Sequence, residues 1–166
     1  MGVFWLIQKV ENENMFLRNI RQRLTDIYRQ EWHASVQGTS NNRLYKYLKD
    51  SLSYENYLDL PNQYLRTAIT IVRLSSHLYH VERGRWRNVP FLNRLCDFCN
   101  VTEDEYHVFI ECPRYKKLRD TYLPNNLISK PSMHSFIDFL KCRPSSDLMK
   151  LGRLCAGIEK EHKLYI

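Results

Sequence analysis

Apolar positions in this 166-residue chain recur mostly three and four residues apart, the spacing of helices that bury one face. Phe16, Ile20, Leu24, Ile27 and Tyr28 keep this spacing and predict an amphipathic helix over residues 11–37. The run Gly38-Thr39-Ser40-Asn41-Asn42 reads as a loop. Residues 43–52 predict a short helix with Leu44, Tyr47, Leu48 and Leu52 inward. Residues 62–82 predict a long one with Leu65, Ile69, Val72 and Leu78 inward, ended by Gly84. Arg85 to Pro90 links it to a segment that should begin as a short hairpin or knuckle and continue as a helix from Thr102 to about Glu111. Helix resumes over 113–123, breaks at Pro124-Asn125-Asn126, and returns over 132–141 and 145–161. No repeat and no strand run of useful length is visible. The expected fold is mainly α: several packed helices with a small CCHC zinc knuckle inserted between them. It divides into an N-terminal helical region (1–60), a helix plus knuckle region (61–123), and C-terminal helices (124–166) on the same core.

Composition narrows the class. Aromatics at 13%, with only Gly 5 and Pro 6, argue against a disordered or collagen-like chain. No apolar run reaches the ~18–20 residues of a membrane helix. Val3 to Ile7 is too short for a signal segment, and Leu6 stands where a myristoylation signal needs Ser or Thr. The expectation is an intracellular protein, nuclear or cytoplasmic, with no membrane partner. Its oligomeric state is left open.

The net charge of +7 is unevenly distributed. Residues 1–60 carry +1; residues 61–95 carry +5, with Glu82 as their sole acid. Residues 96–112 hold five acids and no Lys or Arg, and residues 113–166 carry +6. Two basic stretches thus flank a short acidic one. A basic excess suits a polyanionic partner, nucleic acid first among them, or simply a solvated surface.

That acidic stretch also carries the chemistry. Of five cysteines, Cys96, Cys99 and Cys112 gather with His107 in a Cys-x2-Cys-x7-His-x4-Cys array. An odd count without an export signal argues against disulfides. Four sulfur and nitrogen ligands complete a tetrahedron around one Zn²⁺ and leave no position for water, which makes the site structural. Leu95, Phe98, Tyr106, Val108, Phe109 and Ile110 should cover it. Asp97, Glu103, Asp104, Glu105 and Glu111 read as acids at the N-terminal end of the helix bearing His107, with Thr102 as its cap and Glu105 three residues on. Cys142 and Cys155 lack such spacing and read as buried thiols.

The residues around the array carry a resemblance. Arg83-Gly84-Arg85-Trp86, Val89-Pro90, Arg94-Leu95-Cys96, Cys99, Glu103-Asp104-Glu105-Tyr106-His107 and Glu111-Cys112-Pro113-Arg114-Tyr115 together resemble the zinc-binding C-terminal region of non-LTR retrotransposon reverse transcriptases. So do Arg73-Leu74-Ser75-Ser76-His77 upstream and Leu118-Arg119 downstream, so the likeness spans about residues 66–123. Retroviral nucleocapsid knuckles place four residues between the second cysteine and the histidine; the seven here set this chain apart from them. The resemblance implies a polymerase domain upstream on a longer parent chain, and this chain then reads as a truncated copy of such an element. Neither an acidic triad nor a tyrosine–acid–acid motif in strand context is present, so no catalysis is expected.

The leading functional expectation is a zinc-stabilised nucleic-acid-binding module. Arg83, Arg85, Arg87, Arg94, Arg114, Lys116, Lys117 and Arg119 would contact phosphates, and Trp86 and Tyr115 would stack on bases. Against this stand plainer readings. A tryptophan such as Trp86 is more often a core anchor, and Arg73 with His77, one helical turn apart, more often a polar pair on one helix face than a site. The alternative function is a zinc-knuckle protein–protein interaction module. A relic reading frame without function is a further reading.

Overall fold

The helical periodicity is realised, with different punctuation. A computed structural model describes residues 2–38, 43–141 and 145–164. It is mainly helical, and among the described residues the extended structure amounts to one antiparallel bridge between Leu95 and Thr102. The chain divides into two units, Met1–Thr39 and Ser40–Ile166.

The first unit is a single helix, α1 (Gly2–Gly38). The stripe Phe16, Ile20, Leu24, Ile27 and Tyr28 is exposed along it. No helix among the described residues is long and apolar enough to cross a membrane.

The second unit contains α2 (Tyr45–Leu48), α3 (Gln63–Arg73), α4 (His80–Trp86), α5 (Lys116–Tyr122), α6 (Asn125–Ser129), α7 (Met133–Leu140) and α8 (Ser145–Lys163). Its core is built on α3 against α8. Leu65, Ala68, Ile69 and Val72 of α3 are buried, as are Leu148, Leu151, Leu154, Cys155 and Ile158 of α8. Gly152 permits this approach: a Cβ there would meet Leu65 Cβ at 2.9 Å. Cys155 is a buried free thiol, as its isolation in the sequence implied, and burial raises its pKa. Cys142 lies outside the described residues.

The expected helix over 62–82 is two helices. Asn62 opens α3 by accepting from the Tyr64 and Leu65 amides. Ser75, at φ 50°, closes it in a Schellman arrangement, with Ser76 N–H donating to Ile71 C=O and Ser75 N–H to Val72 C=O. A serine takes the left-handed position that glycine usually fills because its hydroxyl is engaged there: it donates to Glu105 at 2.9 Å and accepts from the Leu44 amide at 3.3 Å. The break leaves Leu78, expected inward, exposed. It also separates Arg73 from His77, which bond to Glu55 and Glu105 respectively instead of pairing.

Gly84 lies within α4 and does not end it; the Arg94 side chain crosses the helix at that point, where a Cβ would come within 2.5 Å of it. The helix expected over 43–52 is the single turn α2, with Leu44 and Leu48 buried but Tyr47 and Leu52 exposed. The Pro124 break holds, but it also starts α6. The helices expected over 113–123, 132–141 and 145–161 are found as the 3-10 turn Pro113–Tyr115 leading into α5, as α7 capped by Ser132, and as α8.

Gly152→Ala tests the α3–α8 contact. The added methyl gains about 0.5–1 kcal/mol in helix propensity and loses about 1–3 kcal/mol to overpacking against Leu65. A lower urea midpoint is expected, and an unchanged or raised midpoint would show that the two helices can separate freely.

Candidate metal centre

The ligand array begins in a tight turn. Cys96 N–H donates to Val101 C=O at 2.7 Å, Asn100 N–H donates to Cys96 C=O at 2.8 Å, and Asn100 takes a left-handed φ of 55°. The turn points Cys96 and Cys99 to one side, as Cys-x2-Cys spacing predicts. His107 and Cys112 present a harder problem. Five residues of α-helix rotate by about 500°, leaving the two side chains about 140° apart. The chain resolves this with a π turn over His107–Glu111, closed by Cys112 N–H donating to His107 C=O at 2.7 Å. The wider turn brings both residues back to one face.

Cys96, Cys99, His107 and Cys112 thereby cluster, with their ligand atoms all within 4.8 Å of one another. Cys112 Sγ lies 4.0 Å from Cys96 Sγ and 3.7 Å from Cys99 Sγ. These are not disulfide distances. A tetrahedral ion with metal–sulfur bonds of about 2.3 Å sets its sulfurs about 3.8 Å apart, which the two separations match. His107 gives an independent indication. Its Nδ1 lies 3.3 Å from Glu111 Oε2, while its buried Nε2 has no hydrogen-bond partner. A carboxylate on one ring nitrogen and a free lone pair on the other is the arrangement of a metal-bound histidine. The four residues form a cluster compatible with a metal site.

Burial raises the Cys99 thiol and pushes Cys112 up to about 12, so without a cation Cys112 stays protonated at neutral pH. A bound divalent ion reverses that preference.

The acids of the loop act differently from expectation. The cap of the His107 turn is Asp104, whose Oδ1 accepts from the His107 amide at 2.8 Å; Thr102 sits in the bridge. Glu105 does not cap at all. It is buried, with Oε1 accepting from Ser75 and within 3.1 Å of His77 Nε2, and Oε2 accepting from Arg43 at 2.7 Å. Burial alone would raise its pKa, but the His77 hydrogen bond and the Arg43 charge hold it down to about 2. Glu103 is also buried, and its Oε2 accepts from the His80 amide at 2.7 Å and lies 2.6 Å from His80 Nδ1. Glu111 Oε2 faces His107 Nδ1. Asp97 stays exposed near His80.

The apolar cover is as expected for Val108 and Phe109, which are buried, and for Leu95, Tyr106 and Ile110, which are partly buried. Phe98 is instead 61% exposed, with the Arg114 guanidinium 5.6 Å over its ring.

The residues expected to meet nucleic acid separate into two groups. Tyr115 is fully buried, its hydroxyl 2.9 Å from His162 Nδ1, so its ring cannot stack on a base. Arg119 is buried and donates to the Cys112 carbonyl, supporting the metal cluster. Arg94 is half-buried and donates to the carbonyls of Val89 and Val81. Arg85 is ion-paired with the buried Glu82 at 2.7 Å. Arg83 and Arg114 are half-buried, whereas Arg87, Lys116 and Lys117 are exposed, Lys116 pairing with Asp120. Trp86 is 55% exposed and does not anchor the core.

Comparison with models of protein families, with curated proteins and with solved structures finds no match to this chain.

Metal uptake should release protons at neutral pH, read with a pH indicator or by calorimetry in buffers of differing ionisation enthalpy. Cys96→Ser together with Cys112→Ser should abolish both release and stoichiometric metal; full retention of metal by that variant would exclude the cluster. Glu105→Gln keeps the shape but removes the charge facing Arg43 and His77. A loss of about 2 kcal/mol in denaturant melts is expected.

Proposed function

We propose that this chain is a zinc-stabilised nucleic-acid-binding module without catalytic activity of its own. The ion is one structural Zn²⁺. Three cysteines and one histidine suit zinc, and four protein ligands leave no open position for a reacting water. The ion's task is then to hold the knuckle and the π turn together.

The observation that carries the binding reading is where the exposed groups fall. Trp86 and Arg87 stand exposed just before the metal array, and Lys116 and Lys117 just after it. Cations with an exposed aromatic are what sequence-tolerant binding to single strands uses: phosphate contacts supply attraction, and the ring supplies a stacking face. Tyr115 has no part in it, and Arg94 and Arg119 act through the fold. The resemblance to the zinc region of non-LTR retrotransposon reverse transcriptases supports the same reading and assigns polymerisation to a domain elsewhere on a longer parent chain.

A titration of labelled single-stranded RNA at several salt concentrations tests this. Binding should weaken steeply with salt, and replacing Arg87, Lys116 and Lys117 together should reduce the slope of log affinity against log salt by ~2–3. Trp86→Ala should weaken binding by about 1–3 kcal/mol with the slope nearly unchanged, as expected for lost stacking. Binding that is absent at low salt, or indifferent to salt, would favour a protein partner.

A further inference from the structure

We infer that a polar cavity in the second unit, far in sequence from the metal ligands, is a binding site for a phosphate group. The cavity is about 130 Å³, several times the room one water needs. Two cations line it: Lys49, 6% exposed, and Arg73, 4% exposed.

One carboxylate serves both. Glu55 Oε2 accepts from Arg73 Nη2 at 2.9 Å, and Glu55 Oε1 lies 2.9 Å from Lys49 Nζ. The Lys49 ammonium also donates to the Ser53 carbonyl, and Arg73 Nη1 to the Leu140 carbonyl. Arg73 Nε is buried without a hydrogen-bond partner. At the rim, Lys141 Nζ pairs at 3.3 Å with Asp50, whose side chain is 79% exposed. The described lining therefore carries three cations and two carboxylates, with one carboxylate at the solvent edge.

A buried positive charge in excess of its partners is expensive unless an anion or water enters. Arg fits a tetrahedral oxyanion through its planar fork, and Lys adds a compact charge. Ser51 and Asn56 also line the cavity and add neutral hydrogen-bonding groups. A phosphate group carries between one and two negative charges near neutral pH, within reach of this excess once Lys141 turns inward. The ligand is free phosphate or the phosphate of a nucleotide. None of these residues belongs to the proposed nucleic-acid surface, so the inference does not depend on that reading.

The test uses the full metal-loaded chain, titrated with inorganic phosphate and separately with adenosine 5′-monophosphate, at ionic strength matched with chloride and followed by calorimetry. Saturable binding of one anion per chain, with a dissociation constant of about 1 mM or below, is expected. Lys49→Gln should weaken it at least ~10-fold, whereas Lys160→Gln, on the exposed part of α8, should leave it unchanged. If Lys49→Gln does not fold, Lys141→Gln at the rim should still weaken binding several-fold. Binding of both compounds, or of either one, supports the site and identifies the source of the phosphate. Absence of saturation by both up to ~50 mM, or binding untouched by both substitutions, overturns it.

Discussion

The second unit depends on two buried carboxylates in the short segment between the cysteine turn and the histidine turn. Glu103 binds the start of α4 through the His80 amide and ring, and Glu105 binds Arg43, Ser75 and His77. Between them Asp104 caps the His107 turn. Glu103 and Glu105 therefore tie the segment bearing the candidate metal cluster to α4 and to the residues beside α2 and α3, while Asp104 fixes the histidine turn itself. Burying carboxylates is tolerable only because each finds several donors, and removing a donor leaves the charge with no solvent to fall back on. The positive φ of Ser75 belongs to the same arrangement. A strained backbone position is maintained because its hydroxyl bridges Glu105 and the Leu44 amide.

The metal cluster is the part most legible in the sequence. Cys-x2-Cys spacing dictates a turn whatever the surroundings, and Cys96 with Cys99 folds as that rule requires. The π turn was not legible. A five-residue separation of His107 and Cys112 fits either a helix plus its end or a wider turn, and the choice is made by the need to converge on one point. The acids depart from their expected capping role for a related reason. Capping is a local rule that looks three residues ahead, whereas Glu103 finds His80 and Glu105 finds Arg43 across 23 and 62 residues. Nothing near an acid in the sequence announces a partner so distant.

The helices show the same division between local and distant causes. Burial of α3 and α8 followed from periodicity, because a stripe of apolar residues needs a facing surface. The break at Ser75 did not, since the signal expected there is glycine. Gly84, which looked like a stop, is small because Arg94 lies across it. Glycine in a sequence marks a place where a side chain is unwelcome, for reasons of backbone or of neighbours, and only the neighbours tell the two apart.

Charge counting has a corresponding limit. The basic excess on either side of the acidic stretch suits a polyanionic partner or a solvated surface. In the fold, Arg94 and Arg119 turn inward to backbone carbonyls, and Arg85 answers the buried Glu82. An arginine with five donors is well suited to tying loop carbonyls together where no helix or strand can satisfy them. A unit built of short helices joined by turns needs several such ties. Part of its positive charge is therefore structural, and the proposed attraction to a polyanion would have to come from the remainder. Of that remainder, Arg87 is exposed next to Trp86 in sequence before the candidate metal array, and Lys116 and Lys117 are exposed just after it. In the proposed function, an ion held by Cys96, Cys99, His107 and Cys112 would also hold together the segment between these exposed groups. For that reason metal loss and loss of nucleic-acid affinity are expected to coincide, even though no metal ligand would touch the nucleic acid.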